Sequence, residues 1–116
     1  MKKITIAFDV DGTLISNVDP DAPVKANERI RSLLIGLSSF KNVRIVVWSG
    51  GGEVYARQIA GYIGIKPYVD AYGDKNLIGQ TEDGSFIFEP GFKPDIAIDD
   101  IQSCDLGVLN LIVREK

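Results

Sequence analysis

The amino-acid sequence predicts an α/β fold built on a mainly parallel sheet, and three observations carry that prediction. Short β-rich runs alternate with helical periods along the chain. One of those runs, residues 44–48 (RIVVW), is apolar on both faces, as a strand inside a parallel sheet must be. With 116 residues, 45% of them hydrophobic and 25% charged, the chain has room for one domain with one core of ordinary size.

The elements follow in order. Residues 3–8 (KITIAF) form a short β-rich run that stops at the turn sequence Asp9-Val10-Asp11-Gly12-Thr13. Residues 14–23 read as a loop rich in Asn, Asp and Pro, after which Pro23 suits the first turn of a helix. Within that helix Ile30, Leu33, Leu34, Leu37 and Phe40 fall on one apolar face. The second strand, residues 44–48, runs into Ser49-Gly50-Gly51-Gly52. A second amphipathic helix follows through Tyr55, Ile59, Tyr62 and Ile63, with Gly64 as its stop. Residues 68–71 form a short third strand. Residues 75–88 carry Glu82-Asp83-Gly84-Ser85 between two apolar runs, the pattern of a hairpin. Two more strands, 95–98 (DIAI) and 108–113 (VLNLIV), complete the set. The order strand, helix, strand, helix, strand is what points to a parallel sheet.

Composition narrows the chemistry. Histidine is absent, which excludes Ser-His-Asp and Cys-His hydrolysis, histidine-ligated zinc and haem, and imidazole acid–base work. One cysteine, Cys104, excludes an intramolecular disulfide and any multi-cysteine zinc site, and it reads as an inert thiol. Catalysis is left to carboxylates, lysine, hydroxyls, backbone amides and a hard metal ion. The net charge of −3 weighs against a nucleic-acid partner, although an acidic protein can carry a local basic patch. No apolar run approaches the roughly 20 residues that span a bilayer. The basic Lys2-Lys3 is followed by an apolar stretch that Asp9 interrupts too early for a signal peptide, so a cytoplasmic location is expected.

In open α/β sheets the ligand site lies beyond the carboxyl ends of the strands. Three strands deliver polar groups there: Asp9 to Thr13 after the first, Ser49-Gly50 after the second, and Asp99-Asp100 after the strand at 95–98. Four carboxylates converging in one crevice repel unless a cation lies among them, and hard oxygen ligands without Cys or His select Mg²⁺. The glycines after Asp11 and Ser49 allow sharp turns and present amide groups to an anion. A carboxylate nucleophile, Mg²⁺ and anion-binding amides together describe phosphoryl transfer through an aspartyl-phosphate. A calcium loop starting at Asp9 is excluded, because its sixth and twelfth positions hold Leu14 and Pro20 instead of Gly and Glu. Taken singly, these clusters read as an ordinary turn, a serine cap and the solvated start of a helix. Their joint placement at strand ends favours chemistry.

Asp9-Val10-Asp11-Gly12-Thr13 after one apolar strand, Ser49 after another and Asp99-Asp100 after a third resemble the haloacid dehalogenase superfamily, its phosphatase branch most closely. The resemblance runs from Ile4 to Val113. It implies a three-layer Rossmann-like domain, and it implies roles residue by residue. Asp9 is then the nucleophile that attacks phosphorus. Asp11 is the general acid that protonates the leaving group and later activates water. Asp9, the backbone carbonyl of Asp11 and an acid of the Asp99-Asp100 pair hold Mg²⁺. Ser49 with the amide of Gly50 binds the phosphoryl oxygens, and Gly12 and Thr13 of the first motif stand with them.

The superfamily also needs a lysine beside the phosphoryl group, and two are candidates. Lys93 precedes the strand at 95–98. At about 3.3 Å per residue the path from it to Asp99 is roughly 20 Å, which puts Lys93 at the wrong end of the sheet. Lys75 follows the third strand and emerges at the active edge, so it is the expected residue, although a hairpin stands where a helix usually separates this lysine from the next strand.

Tyr55, Ile59 and Tyr62 at helical spacing read as core and boundary residues rather than a stacking platform, and Trp48 as packed beneath the site. The gaps Thr13–Ser49 and Ser49–Lys75 are too short for a cap domain. A phosphate at the end of a larger molecule is therefore the expected substrate of an open crevice. The competing reading is a phospho-accepting receiver-like signalling domain without turnover, for which Asp70 and Asp74 are the acids near the third strand.

Overall fold

The computed structural model describes residues 3–16, 23–75, 77–80, 82, 86–88, 93–100 and 106–113. Strands β1 (Ile4–Asp9), β2 (Val43–Ser49), β3 (Ala71–Asp74), β6 (Ile96–Asp99) and β7 (Leu109–Ile112) form one five-stranded sheet in the order β3-β2-β1-β6-β7. Every pairing in it is parallel. The remaining strands, β4 (Leu77–Gln80) and β5 (Phe86–Phe88), make a separate antiparallel hairpin, as the sequence predicts. Residues 83–85 and 17–22, expected from the sequence as a turn and a loop, and Cys104 lie outside the described residues.

Two α-helices, α1 (Glu28–Ser38) and α2 (Glu53–Tyr62), supply the β1–β2 and β2–β3 crossovers. Both pack on one sheet face. Ile6 and Phe8 of β1, Ile45 and Val47 of β2 and Ile98 of β6 meet Leu34 of α1 and Ala56, Ile59 and Ala60 of α2 in a single buried cluster. The period-2 alternation of a strand sends the intervening residues to the other face, where Ala7, Val46, Trp48 and Ala97 pack with Leu106. Apolar residues on both faces of β2 are thus accounted for. Trp48 belongs to this second cluster, as expected of a packed residue. No helix among the described residues is long and apolar enough to cross a membrane.

Helix α1 and the third strand differ from the sequence reading by more than one residue. Helix α1 starts five residues after Pro23, because Ala26 is held in a bridge with Ile15 and the Asn27 side chain then caps the helix by accepting from the Ile30 amide. Its apolar face is narrower than predicted: Leu33 is 42% exposed, and Phe40, beyond the helix end, is 57% exposed. Ile35 packs against the core in their place. The third strand begins where its predicted span ends, at Ala71, since Lys66–Tyr68 winds into a 3₁₀ turn with Pro67 in it. Helix α2 stops before Gly64 as expected, with Tyr62 exposed and Ile63 buried.

Carboxylates at the amino-terminal ends of two strands extend the ladders. The Asp70 side chain accepts from the Ile45 amide (2.8 Å), and its own amide donates to the Ile45 carbonyl (2.9 Å). Asp95 does the same with Thr5, at 2.8 and 3.0 Å. Each side chain satisfies a backbone donor near the start of a strand.

Candidate active site

The strand order reverses direction between β1 and β6. From β1 the chain moves outward through β2 to β3, then returns to β6 on the other side of β1. Such a switch point opens a crevice at the carboxyl ends of its two strands. Asp9 ends β1 and Asp99 ends β6, so the two carboxylates flank that crevice.

Lys75, the residue after β3, joins them. Its ammonium donates to Asp9 Oδ1 at 2.6 Å and to Asp99 Oδ2 at 2.7 Å, and all three side chains are buried. The lysine reaches inward because its amide donates to the Ser49 carbonyl (2.9 Å), which extends the β2–β3 pairing by one residue. Lys93 stands at the opposite end of the sheet, ahead of β6, which runs parallel to β1.

Asp100 brings a third carboxylate. One oxygen from each of Asp9, Asp99 and Asp100 lies within 4.8 Å of the others, close enough for a single metal ion to take all three. Three carboxylates and one ammonium make this a formally negative site among the described residues, an excess that a divalent cation would offset. The proton affinities carry the mark of that excess. Burial pushes the Asp9 carboxyl up from 3.8 to about 7; Lys75 opposes the rise, and Asp99 and Asp100 add to it. Burial also raises the Asp100 carboxyl, aided by its hydrogen bond with Asp99. Burial works against the Lys75 ammonium, yet Asp9 and Asp99 together outweigh it and raise its pKa. The pair is unequal because Lys75 has two counter-charges, whereas Asp9 has one and two like neighbours. An all-oxygen donor set with surplus negative charge fits Mg²⁺.

The remaining predicted residues surround this centre. Thr13 is fully buried and its hydroxyl donates to Asp9 Oδ2 at a long 3.3 Å. Gly12 has φ +80°, a conformation that L side chains rarely adopt, and its amide donates to the Ile15 carbonyl at 2.9 Å. That amide therefore faces into its own turn, where the sequence reading expects it to face an anion. Ser49 is buried, and its Oγ accepts from the Gly51 amide at 3.0 Å. The Gly52 amide returns to the Ser49 carbonyl (3.1 Å), so Gly50, exposed in the same turn, carries the amide that neither bond uses. Gly52 has φ +104° and cannot cap α2 with a side chain. Asp74 does so from β3, accepting from the Glu53 amide.

Asp11 stands apart from the cluster. Its side chain is exposed, and Oδ1 accepts a 2.7 Å hydrogen bond from the Tyr55 hydroxyl. Burial, and after it the hydrogen bond to Asp11, push the Tyr55 phenol up to about 12. Tyr55 is thus a site residue that helical spacing alone assigns to the core boundary. The signal that finds it is position: Tyr55 lies in the first turn of α2, and the first turn of a crossover helix sits at the carboxyl edge of a parallel sheet.

Compared with family models, curated proteins and solved structures, the chain matches none. Fold and site together define an α/β protein whose parallel sheet ends in a buried acid cluster bridged by one lysine.

Proposed function

We propose that the chain is a Mg²⁺-dependent phosphatase of the haloacid dehalogenase type that hydrolyses phosphate monoesters through an aspartyl-phosphate. The observation that carries this reading is the Lys75 ammonium held between Asp9 and Asp99 at the switch point of the sheet. Asp9, Asp99 and Asp100 are the side chains that would hold Mg²⁺, which when bound neutralises phosphoryl oxygens and draws the substrate in. An Asp9 carboxylate oxygen attacks phosphorus as the P–O bond to the leaving group breaks, and Asp11 gives a proton to the departing oxygen. Lys75 opposes the rise in proton affinity that burial imposes on the Asp9 carboxyl and compensates charge on the phosphoryl oxygens. Ser49 and the Gly50 amide bind those oxygens. Water then attacks phosphorus and passes a proton to Asp11, the P–O bond to Asp9 breaks, and inorganic phosphate leaves.

The receiver-like reading has less support, because the acids near the third strand are already engaged. Asp70 bonds β2 from the amino end of β3, and Asp74 caps α2.

The test is hydrolysis of p-nitrophenyl phosphate with Mg²⁺, its loss on chelation and its return on adding excess Mg²⁺. Undiminished turnover in excess chelator overturns the proposal. Asp11→Asn separates the two steps. Attack by Asp9 remains, while leaving-group protonation and water activation fall by about 10²–10⁴-fold. In the first turnover, esters with good leaving groups are expected to lose less than alkyl esters. An equal loss for all leaving groups would make Asp11 a structural or metal-site residue.

A further inference from the structure

The first-turn tyrosine of α2 is the one polar contact of the Asp11 side chain among the described residues. Asp11 sits on an exposed turn, where a short carboxylate otherwise rotates freely and spends part of its time misdirected. Tyr55 is a suitable anchor for it. Its ring packs against the main core cluster, so the hydroxyl is held at the end of a rigid arm. The loop before α2 is shaped to that ring: a Cβ added at Gly51 would lie 3.1 Å from Tyr55 Cδ2, a contact in which one side must give way. The glycine beside the phosphoryl-binding turn thus admits the ring that reaches Asp11. With Oδ1 engaged by the phenol, Oδ2 of Asp11 has no hydrogen-bond partner among the described residues.

We propose that Tyr55 is a positioning residue for proton transfer, fixing Asp11 through Oδ1 so that Oδ2 delivers the proton to the leaving group. This inference rests on the phosphatase reading. In the step concerned, the Asp9–phosphorus bond forms, the bond from phosphorus to the leaving oxygen breaks, and the proton of Asp11 moves to that oxygen. The phenol keeps its own proton throughout and acts only through Asp11. Its contribution grows with the need for protonation, and so with the basicity of the leaving group.

The experiment compares Tyr55→Phe with the unaltered chain in Mg²⁺ by rapid-quench measurement of the first turnover. The substrates are p-nitrophenyl phosphate and phenethyl phosphate. The expected result is a loss of about 5–20-fold with the alkyl ester and less than about 2-fold with the aryl ester, with KM unchanged for both. On an Asp11→Asn background, Tyr55→Phe is expected to add no further loss. In the metal-free chain, the ¹³C resonance of the Asp11 carboxyl shifts in Tyr55→Phe while those of Asp70 and Asp95 stay in place. Equal losses for both esters, a further loss on the Asp11→Asn background, or an unmoved Asp11 resonance would each overturn the inference. An active, Asp11-dependent chain in which Tyr55→Phe is silent removes this inference alone. A chain without Mg²⁺-dependent hydrolysis removes the phosphatase reading and this inference with it.

Discussion

Asn in place of Asp9 is expected to abolish turnover while leaving the fold at least as stable as before. The loss follows from chemistry: a carboxamide oxygen is a far poorer nucleophile than a carboxylate. Removing a nucleophile of this kind costs roughly 10⁴-fold or more. The unchanged stability follows from the environment of Asp9. Its carboxyl is raised from 3.8 to about 7, first by burial, so the folded chain holds a proton there over a range in which the unfolded chain has lost it. The contribution of this group to stability is therefore complete below pH 3.8 and declines as pH rises towards about 7 in the metal-free chain. Asn is neutral at every pH and avoids that decline. Thermal unfolding followed from pH 5 to 8 in chelator is expected to show Asp9→Asn gaining on the unaltered chain as pH rises. Parallel kinetic assays should find no phosphate release and no phosphoryl group on the protein. Turnover like that of the unaltered chain would remove Asp9 from its role.

Lys75→Ala has the second largest expected effect, and it acts on rate and stability together. The ammonium stands within 2.7 Å of two buried carboxylates, so its removal strips Asp9, the proposed nucleophile, of its one cationic partner among the described residues and the proposed transferring group of a charge clamp. A loss of about 3–4 kcal/mol in transition-state stabilisation, roughly 10²–10³-fold in kcat, is expected from other preorganised electrostatic groups. Breaking a buried ion pair from one side also costs about 3–5 kcal/mol of stability, because the carboxylates left behind stay in low dielectric. Mg²⁺ should restore part of that stability by supplying the missing charge, and its addition should raise the melting temperature of Lys75→Ala more than that of the unaltered chain. Lys93→Ala, at the far end of the sheet, is expected to leave kcat within about 2-fold. Equal damage from the two substitutions, or the reverse order, would overturn the assignment of Lys75.

The strands were the legible part of this chain, and the reason is physical. A strand buried on both faces must be continuously apolar, so Ile45 to Trp48 could be little else, and the acids that follow such runs had to stand at a sheet edge. Strand polarity then separated Lys75 from Lys93 by distance alone. The helix boundaries were less legible because competing local bonds decide them. Pro23 fits a first turn in isolation, but the Ile15–Ala26 bridge holds the chain extended past it and leaves the cap to Asn27. Leu33 and Phe40 match a helical period yet face outward, since α1 covers the sheet with a narrow stripe and ends at Ser38. The Gly12 amide illustrates a further limit: a glycine in a turn motif announces an unusual backbone, but not whether its N–H points at a ligand or at the Ile15 carbonyl. Tyr55 was hidden for another reason. Periodicity reports which side of a helix is apolar, and a ring with an apolar body and a polar tip satisfies that test whatever its hydroxyl touches.

Asp70 and Asp95 bond backbone amides where the strands begin, whereas Asp9 and Asp99 occupy the places where strands end. The same side chain thus serves cohesion at one rim of the molecule and, under the phosphatase proposal, reactivity at the other, and a strand's length keeps the two apart. A carboxylate at the starting rim has its negative charge soaked up by N–H donors and gives firmness; those at the finishing rim share the Lys75 ammonium and lie close enough together for a metal ion. Changes on one rim can therefore accumulate without disturbing the other. A lineage or an engineer could harden this protein from below while retuning the proposed chemistry from above, because the direction of the chain has already divided the two tasks.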